Sequence, residues 1–406
     1  MEEGIVLSDT YIHIYPIEPS ESDGWLRIGA RIEGLANCPD TLWFDLEPEH
    51  ADCRTQVADP FVLAMLFPAM QSGSNLFVHG QVSRKLLANL EYFQAVWHNW
   101  MPFRYSSVRI EADLEVQAGA VGDSTLSMFS GGLDSCFSIY RHHRGLVGRR
   151  NLRIDACLMV HGLDIPVDEA DQFLEAAENS RQILDSISTP LWRMRTNFRS
   201  LPADWEHSHG TGLAACLHCY AGRFRRGVIA STQSTNSLDF PWGSHVFTDP
   251  LLSCDRFEII NDGSETARLY KPRLVADWPE AMRRLRVCWQ SERRAHNCGR
   301  CRKCLLTKIA FMANGLPLPL SLEPEPSSEQ LHRIWFGAAW EATHVRLSLE
   351  LAELNGLKAT AWFKALESCL AWNSARFQKA SRHLAIRRWA EGMRQFLSRG
   401  RVWTNR

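Results

Sequence analysis

Apolar and polar residues alternate early in the chain: Tyr11-Ile12-His13-Ile14-Tyr15 and Leu26-Arg27-Ile28-Gly29-Ala30-Arg31-Ile32 repeat with the two-residue period of half-buried strands. The period then lengthens. Leu86, Leu87, Leu90, Phe93 and Val96 recur at three- and four-residue steps, which predicts an amphipathic helix, and a strand-like run follows from Val108 to Val116. No catalytic motif stands in this stretch. The pattern predicts an accessory α+β domain over residues 1–118.

From about residue 124 the pattern becomes strand, glycine turn and helix, repeated. Leu126 to Phe129 reads as a strand, a helix starts near Ser135, and Ile154 to Val160 is again apolar. Phe173, Ala176, Ala177, Ile183, Leu184 and Ile187 share one helix face, and strands follow around Leu191 to Met194 and Val228 to Ser231. Such alternation is the signature of a parallel sheet covered by helices, so residues 119–320 are expected to form an α/β doubly wound core. The proline-rich stretch from Leu316 to Pro326 reads as a connection, and residues 321–406 are expected to be helical.

Composition narrows the partners. The 406 residues carry a formal charge of -1, which offers no global attraction to nucleic acid or to an acidic membrane. A basic run begins near Ala371; it is most simply a solvated helix face, although such a run can bind nucleic acid or an acidic partner. The start, Met1-Glu2-Glu3-Gly4, is unlike a signal peptide, and no apolar run approaches the length of a membrane span. A cytoplasmic protein without membrane association is expected, and its twelve cysteines are then buried apolar residues, metal ligands or catalytic thiols.

The first strand of the α/β region runs into Ser130-Gly131-Gly132-Leu133-Asp134-Ser135. A strand that ends in two glycines and restarts as a helix offers backbone N–H groups and a positive helix end to an anion. The glycines admit phosphate oxygens without a Cβ in the way, Ser130 and Ser135 add hydroxyls, and Asp134 can hold Mg2+ or a water. The fit is to pyrophosphate. The plainer alternative is a turn that only lets strand and helix pack closely, and the absence of a Gly-Lys-Ser/Thr string separates the segment from a Walker loop.

Ser-Gly-Gly-Leu-Asp-Ser resembles the PP-loop of N-type ATP pyrophosphatases, which include asparagine synthetase, tRNA thiolation and lysidine-forming enzymes, and QueC. The resemblance implies an adenine nucleotide alpha-hydrolase-like fold that uses ATP and Mg2+. A substrate oxygen would attack the α-phosphate, pyrophosphate would leave into the turn, and a nitrogen or sulfur nucleophile would take the activated carbon. His161 and Gly162, after the second strand of that fold, would lie near adenine.

Cys288, Cys298, Cys301 and Cys304 form C-x9-C-x2-C-x2-C, with Gly299 free to turn sharply. Four thiolates in this spacing suit a closed, tetrahedral Zn2+ site of structural type, with an iron–sulfur cluster or a chance grouping as the alternatives. Together with the PP-loop, the spacing is similar to that of QueC, the 7-cyano-7-deazaguanine synthases. Thr307 departs from that pattern, standing where an arginine is expected. The long flanking regions resemble the enlarged QueC-like proteins of antiphage systems, including QatC and the QueC-like component of some CBASS operons.

This resemblance implies an ATP-dependent C–N ligase, releasing AMP and pyrophosphate, that adenylates 7-carboxy-7-deazaguanine and transfers it to an amine. In the antiphage setting the amine belongs to an acceptor protein, a CD-NTase-like or other operon partner, and a homo-oligomer is compatible with the sequence. Ammonia-dependent nitrile formation and tRNA thiolation are the alternatives.

Other features carry less. The loop from Phe240 to Pro250 follows a sheet strand, so Trp242 could stack on a purine-like base with His245 nearby, and Asp239 or Asp249 could accept paired N–H donors; ordinary packing explains the loop equally well. Arg268 and Lys271 could neutralise charge on the α-phosphate and the leaving pyrophosphate, or could be a solvated strand face. A turn without its own lysine favours the first. Cys216 and Cys219, close in sequence to His207, His209 and His218, are more simply core thiols than a second metal or sulfur-transfer site. The first domain is expected to dock the acceptor protein.

Overall fold

The computed structural model describes residues 10–117, 119, 122–235, 241–336 and 339–373. Its elements are, in chain order, β1 (Tyr11–Ser22), β2 (Trp25–Glu33), β3 (Thr41–Leu46), α1 (Asp59–Ser72), β4 (Asn75–Ser83), α2 (Arg84–Trp100) and β5 (Ile110–Val116). The region around the glycine turn adds β6 (Thr125–Met128), α3 (Leu133–His143), β7 (Ala156–His161), α4 (Ala170–Asp185), β8 (Leu191–Thr196), α5 (Trp205–His218), β9 (Arg226–Ala230) and β10 (Glu258–Asp262). Helices α6 (Pro272–Val275), α7 (Pro279–Arg284), α8 (Arg302–Ala313), α9 (Ser328–His332) and α10 (Ala339–Leu354) follow, and residues 361–373 are helical.

The strands form one ten-stranded sheet in the order β10-β9-β6-β7-β8-β3-β2-β1-β4-β5. From β10 to β8 every pairing is parallel. The chain steps outward from β6 to β7 and β8, then returns to the other side of β6 for β9 and β10, which is the winding expected of a doubly wound sheet. β7 is buried at all six positions, as a strand covered on both faces must be.

The first hundred residues do not stand apart as a separate domain. β3 pairs antiparallel with β8, Phe44 opposite Thr196 and Leu46 opposite Met194, so the N-terminal strands extend the core sheet. Asp45, fully buried at this seam, accepts two bonds from Arg27 at 2.7 and 2.9 Å and two from Arg195 at 2.7 and 3.1 Å, fastening β2, β3 and β8 through one carboxylate. The pairing partners lie far apart in sequence, and local periodicity does not encode them.

Helix α1 also escaped the periodic pattern. Residues from Asp59 to Met70 are all buried, so no polar face interrupts the run. Phe67 meets the rings of Phe93, Trp97 and Tyr105 at 5.9, 4.8 and 5.1 Å in edge-on contacts, each worth about 0.5–1.5 kcal/mol beyond simple burial.

The chain divides into two compact units, one of residues 1–298 and 319–323, the other of 299–318 and 324–406. This boundary differs from the expected 118/119 and 320/321 because the sheet is continuous across the first and α8 belongs to the second unit. Within the second unit α8 and α10 pack together, with Asn355 Nδ2 donating to Ala313 O at 2.8 Å and Arg302 paired to Glu341 at 2.9 Å. The basic run beyond residue 373, Asp239 and Phe240 lie outside the described residues. Among the described residues no helix is long and apolar enough to cross a membrane.

Candidate functional site

Strand β6, central in the parallel half of the sheet, leads through Phe129 and Ser130 into the glycine turn and α3. Gly131 takes φ +70°, where a side chain is strained, and a Cβ there would come 3.0 Å from Ser180 Oγ. Gly132 caps α3, Ser135 Oγ donates to Gly132 O at 3.1 Å, and the Ser130 and Ser135 hydroxyl oxygens are 3.5 Å apart. Leu133 is buried and anchors the first turn. The turn therefore presents the start of an eleven-residue helix at the point where the winding of the sheet reverses, the position at which such sheets bind ligands.

Two cations from a distant segment meet this turn. Lys271 Nζ lies 2.9 Å from Asp134 Oδ1 and also donates to Ser231 O at the end of β9, while Arg268 Nε donates to Asp134 Oδ2 at 3.1 Å. Lys271 is only 1% exposed, so it is no solvated strand residue. Burial by itself would raise the Asp134 carboxyl, but Lys271 and Arg268 outweigh it and hold the group well below the usual carboxylate range. Two cations thus converge on one carboxylate beside the turn.

The segment bearing these cations is anchored to α3. Asp262, at the end of β10, accepts from Ser138 Oγ at 2.6 Å, from Arg141 at 3.0 Å and lies 3.2 Å from His142 Nε2, while Arg141 also pairs with Glu265. Helix and cations are thus set by one buried carboxylate.

At the neighbouring strand end, His161 is buried, its Nε2 is 2.7 Å from Pro166 O, and its ring stacks on Phe173 at 4.5 Å. Gly162 has φ +101°, and a Cβ would lie 1.9 Å from Thr196 O, so this position requires glycine. His161 ends β7, beside the turn-bearing β6, and Gly162 follows it directly.

In the loop after β9, Trp242 is half-buried, and its Nε1 donates to Thr232 Oγ1 at 3.0 Å. His245 and Asp249 are buried, and the Asp249 carboxylate accepts from Ser244 Oγ at 2.7 Å, Asn261 Nδ2 at 2.7 Å and the His245 amide at 2.9 Å. Burial pushes that carboxyl up to about 6, against the three hydrogen bonds. Asp249 therefore holds its own loop and β10 together, and of the three residues only Trp242 retains a partly exposed face.

Arg286 was not singled out by sequence. Its amide donates to Gly131 O at 2.8 Å, its side chain is 7% exposed, and its Nε has no hydrogen-bond partner. No local pattern marks it. Its backbone lies against the turn, while its guanidinium donates to Arg294 O at 3.3 Å and lies 3.8 Å from Asp164.

Cys216 and Cys219 are completely buried, and burial raises both thiols well above their ordinary range, which makes them unreactive. Cys288, Cys298, Cys301 and Cys304 behave differently: their four sulfurs lie within 4.8 Å of one another. Cys288 and Cys298 sulfurs are 3.5 Å apart, too far for a disulfide and close to the roughly 3.8 Å edge of a zinc–sulfur tetrahedron. Asn297 Oδ1 receives the Val287 and Cys288 amides, Gly299 turns at φ +70°, and the Cys304 amide points at Cys301 Sγ from 3.5 Å. The cluster could hold a zinc ion.

Comparison of the chain with protein-family models, with curated proteins and with solved structures finds no match.

Proposed function

We propose that the glycine turn binds the phosphates of ATP and that the protein is a QueC-like C–N ligase acting on 7-carboxy-7-deazaguanine. The observation that carries this reading is the meeting of Arg268 and Lys271 with Asp134 at the start of α3. The PP-loop lacks a lysine of its own, and a buried lysine reaches it from 137 residues away.

In this reading the amides after Gly131 and the hydroxyls of Ser130 and Ser135 receive the β- and γ-phosphates. Asp134 would hold Mg2+, which supplies charge neutralisation on the phosphates. Lys271 and Arg268 would then transfer their hydrogen bonds from Asp134 to phosphate oxygens. Donors fixed where charge accumulates are worth about 3–4 kcal/mol each when the site excludes water.

A carboxylate oxygen of the deazaguanine attacks the α-phosphorus, the bond to the bridging oxygen breaks, and pyrophosphate leaves. An amine nitrogen then attacks the acyl carbon, AMP departs with the oxygen, and the nitrogen loses a proton. A protein amino group is the acceptor that fits an antiphage ligase; ammonia would instead give the primary amide, whose oxygen a second ATP would have to activate before it could leave to form the nitrile. The inert state of Cys216 and Cys219 counts against sulfur transfer to tRNA. Zinc at the four cysteines would brace the chain near Arg286 and take no chemical part.

Pyrophosphate release from ATP tests the reading. Release that depends on 7-carboxy-7-deazaguanine, with a deazaguanine-sized adduct on a co-expressed neighbour by mass spectrometry, is the expected result. No release with any deazaguanine overturns it, and release stimulated by tRNA would favour the modification enzyme.

A further inference from the structure

A third group of ligating side chains lies away from the turn and the four cysteines. Asp59 opens α1, His218 closes α5 and Cys254 precedes β10, yet a carboxylate oxygen, the imidazole Nδ1 and the sulfur lie within 4.8 Å of one another. All three are buried, at 1%, 1% and 4% exposure.

Hydrogen bonding fixes what each offers. His218 Nε2 is 2.8 Å from Leu252 O, which can only accept, so Nε2 carries the hydrogen and Nδ1 carries the lone pair. That Nδ1 has no hydrogen-bond partner and lies 4.0 Å from Asp59 Oδ2, beyond hydrogen-bond reach. The Asp59 oxygens accept from Ser83 N at 2.8 Å and Ser83 Oγ at 2.6 Å, and each retains a second lone pair. A buried, oriented imidazole lone pair therefore faces a carboxylate and a thiol that share Ser83, whose hydroxyl donates to Asp59 Oδ2 and also meets the Cys254 sulfur, where the backbone of Arg256 and Phe257 converges as well.

We propose that Asp59, His218 and Cys254 form a second metal centre that takes a zinc ion. One oxygen, one nitrogen and one sulfur suit a borderline-soft, tetrahedral ion better than calcium or magnesium, which want oxygen alone. Carboxylate and thiolate together cancel the dication, so the filled centre is neutral in an apolar interior. A backbone carbonyl that fixes the imidazole tautomer is the usual outer support of a metal-bound histidine. Ligand atoms in such a shell lie about 3.2–3.8 Å apart, so the 4.0 Å separation needs to close by less than one ångström. Ser83 Oγ or a water would complete the shell. The ion would fasten α1, from the N-terminal segment, to α5 and the β10 approach.

The full-length protein, purified without chelating resin and supplied with Zn2+, should contain about two zinc equivalents per chain. Its X-ray absorption should show nitrogen or oxygen scatterers near 2.0 Å as well as sulfur near 2.3 Å, roughly as a mixed pair of sites requires. The double variant Cys288→Ser with Cys301→Ser should keep about half the metal, and its Co2+ form should have a mixed sulfur and nitrogen spectrum. His218→Gln should lose about half and leave all-sulfur coordination. If either variant fails to fold, the wild-type absorption decides alone. Zinc in purely sulfur coordination, with no metal above background in the cysteine variant, overturns the proposal. None of these readouts depends on the chemistry of the glycine turn.

Discussion

A double-mutant cycle on Asp134 and Lys271 tests whether the cations are held by the carboxylate or merely lie near it. Unit charges about 4 Å apart attract by about 4 kcal/mol at an effective dielectric near 20, and removing one partner of a buried pair costs about 3–5 kcal/mol. Asp134→Asn leaves Lys271, 1% exposed, with the Ser231 carbonyl as its remaining described partner, so a loss of about 3 kcal/mol is expected. Lys271→Met should cost less, about 2 kcal/mol, because Arg268 stays on the other oxygen at 3.1 Å. The double variant removes both charges and should recover a coupling of about 2 kcal/mol, measured by urea denaturation at pH 7. Pyrophosphate release should fall about 100- to 1,000-fold in each single variant and stay low in the double. Stability losses that add within about 0.5 kcal/mol would refute the pairing, and full activity in Lys271→Met would refute its assigned role.

Three further outcomes follow from the geometry. Gly162→Ala should lower stability by about 3 kcal/mol in chemical denaturation, because the added carbon meets Thr196 O and the positive φ disfavours a side chain; a loss below about 1 kcal/mol would contradict this close approach. Asp249 has a folded pKa of about 6, above its unfolded value of about 3.9, so its contribution is complete below pH 4 and fades as pH rises through 6. The stability gap between wild type and Asp249→Asn should therefore shrink by about 2 kcal/mol from pH 4 to pH 7, while His209, buried and held down to about 4, shifts both proteins alike. A gap independent of pH would exclude a buried, titrating Asp249. Cys216→Ala and Cys219→Ala should keep pyrophosphate release within about twofold at a stability cost of about 1 kcal/mol each; a folded variant without activity would instead favour a sulfur-transfer enzyme.

What could be read from the residues was local. The glycine string, the apolar face of α4 and the spaced cysteines each repeat within a few positions, so strand, helix and knuckle were legible. Lys271 and Arg268 were reached by a charge argument, since a phosphate cradle without a lysine must find one elsewhere. For Asp249 the sequence leaves ligand contact and ordinary packing equally open, since its loop follows a sheet strand; in the fold its carboxylate accepts from Ser244 and Asn261. The union of β3 with β8, the position of Arg286 and the convergence of Asp59 with His218 and Cys254 depend on tertiary packing. No short period encodes them.

The seam between β3 and β8 also sets a schedule for synthesis. Asp45 and Arg195 are 150 residues apart, so at about 5–20 residues per second the first partner waits roughly 8–30 s for the second to be made. During that interval β3 has an unpaired edge, and the apolar surface of α1 has no α5 to cover it. Nascent chains should therefore engage holdase chaperones until residue 218 has emerged, and a synonymous-codon pause placed shortly before β8 should lower the soluble yield.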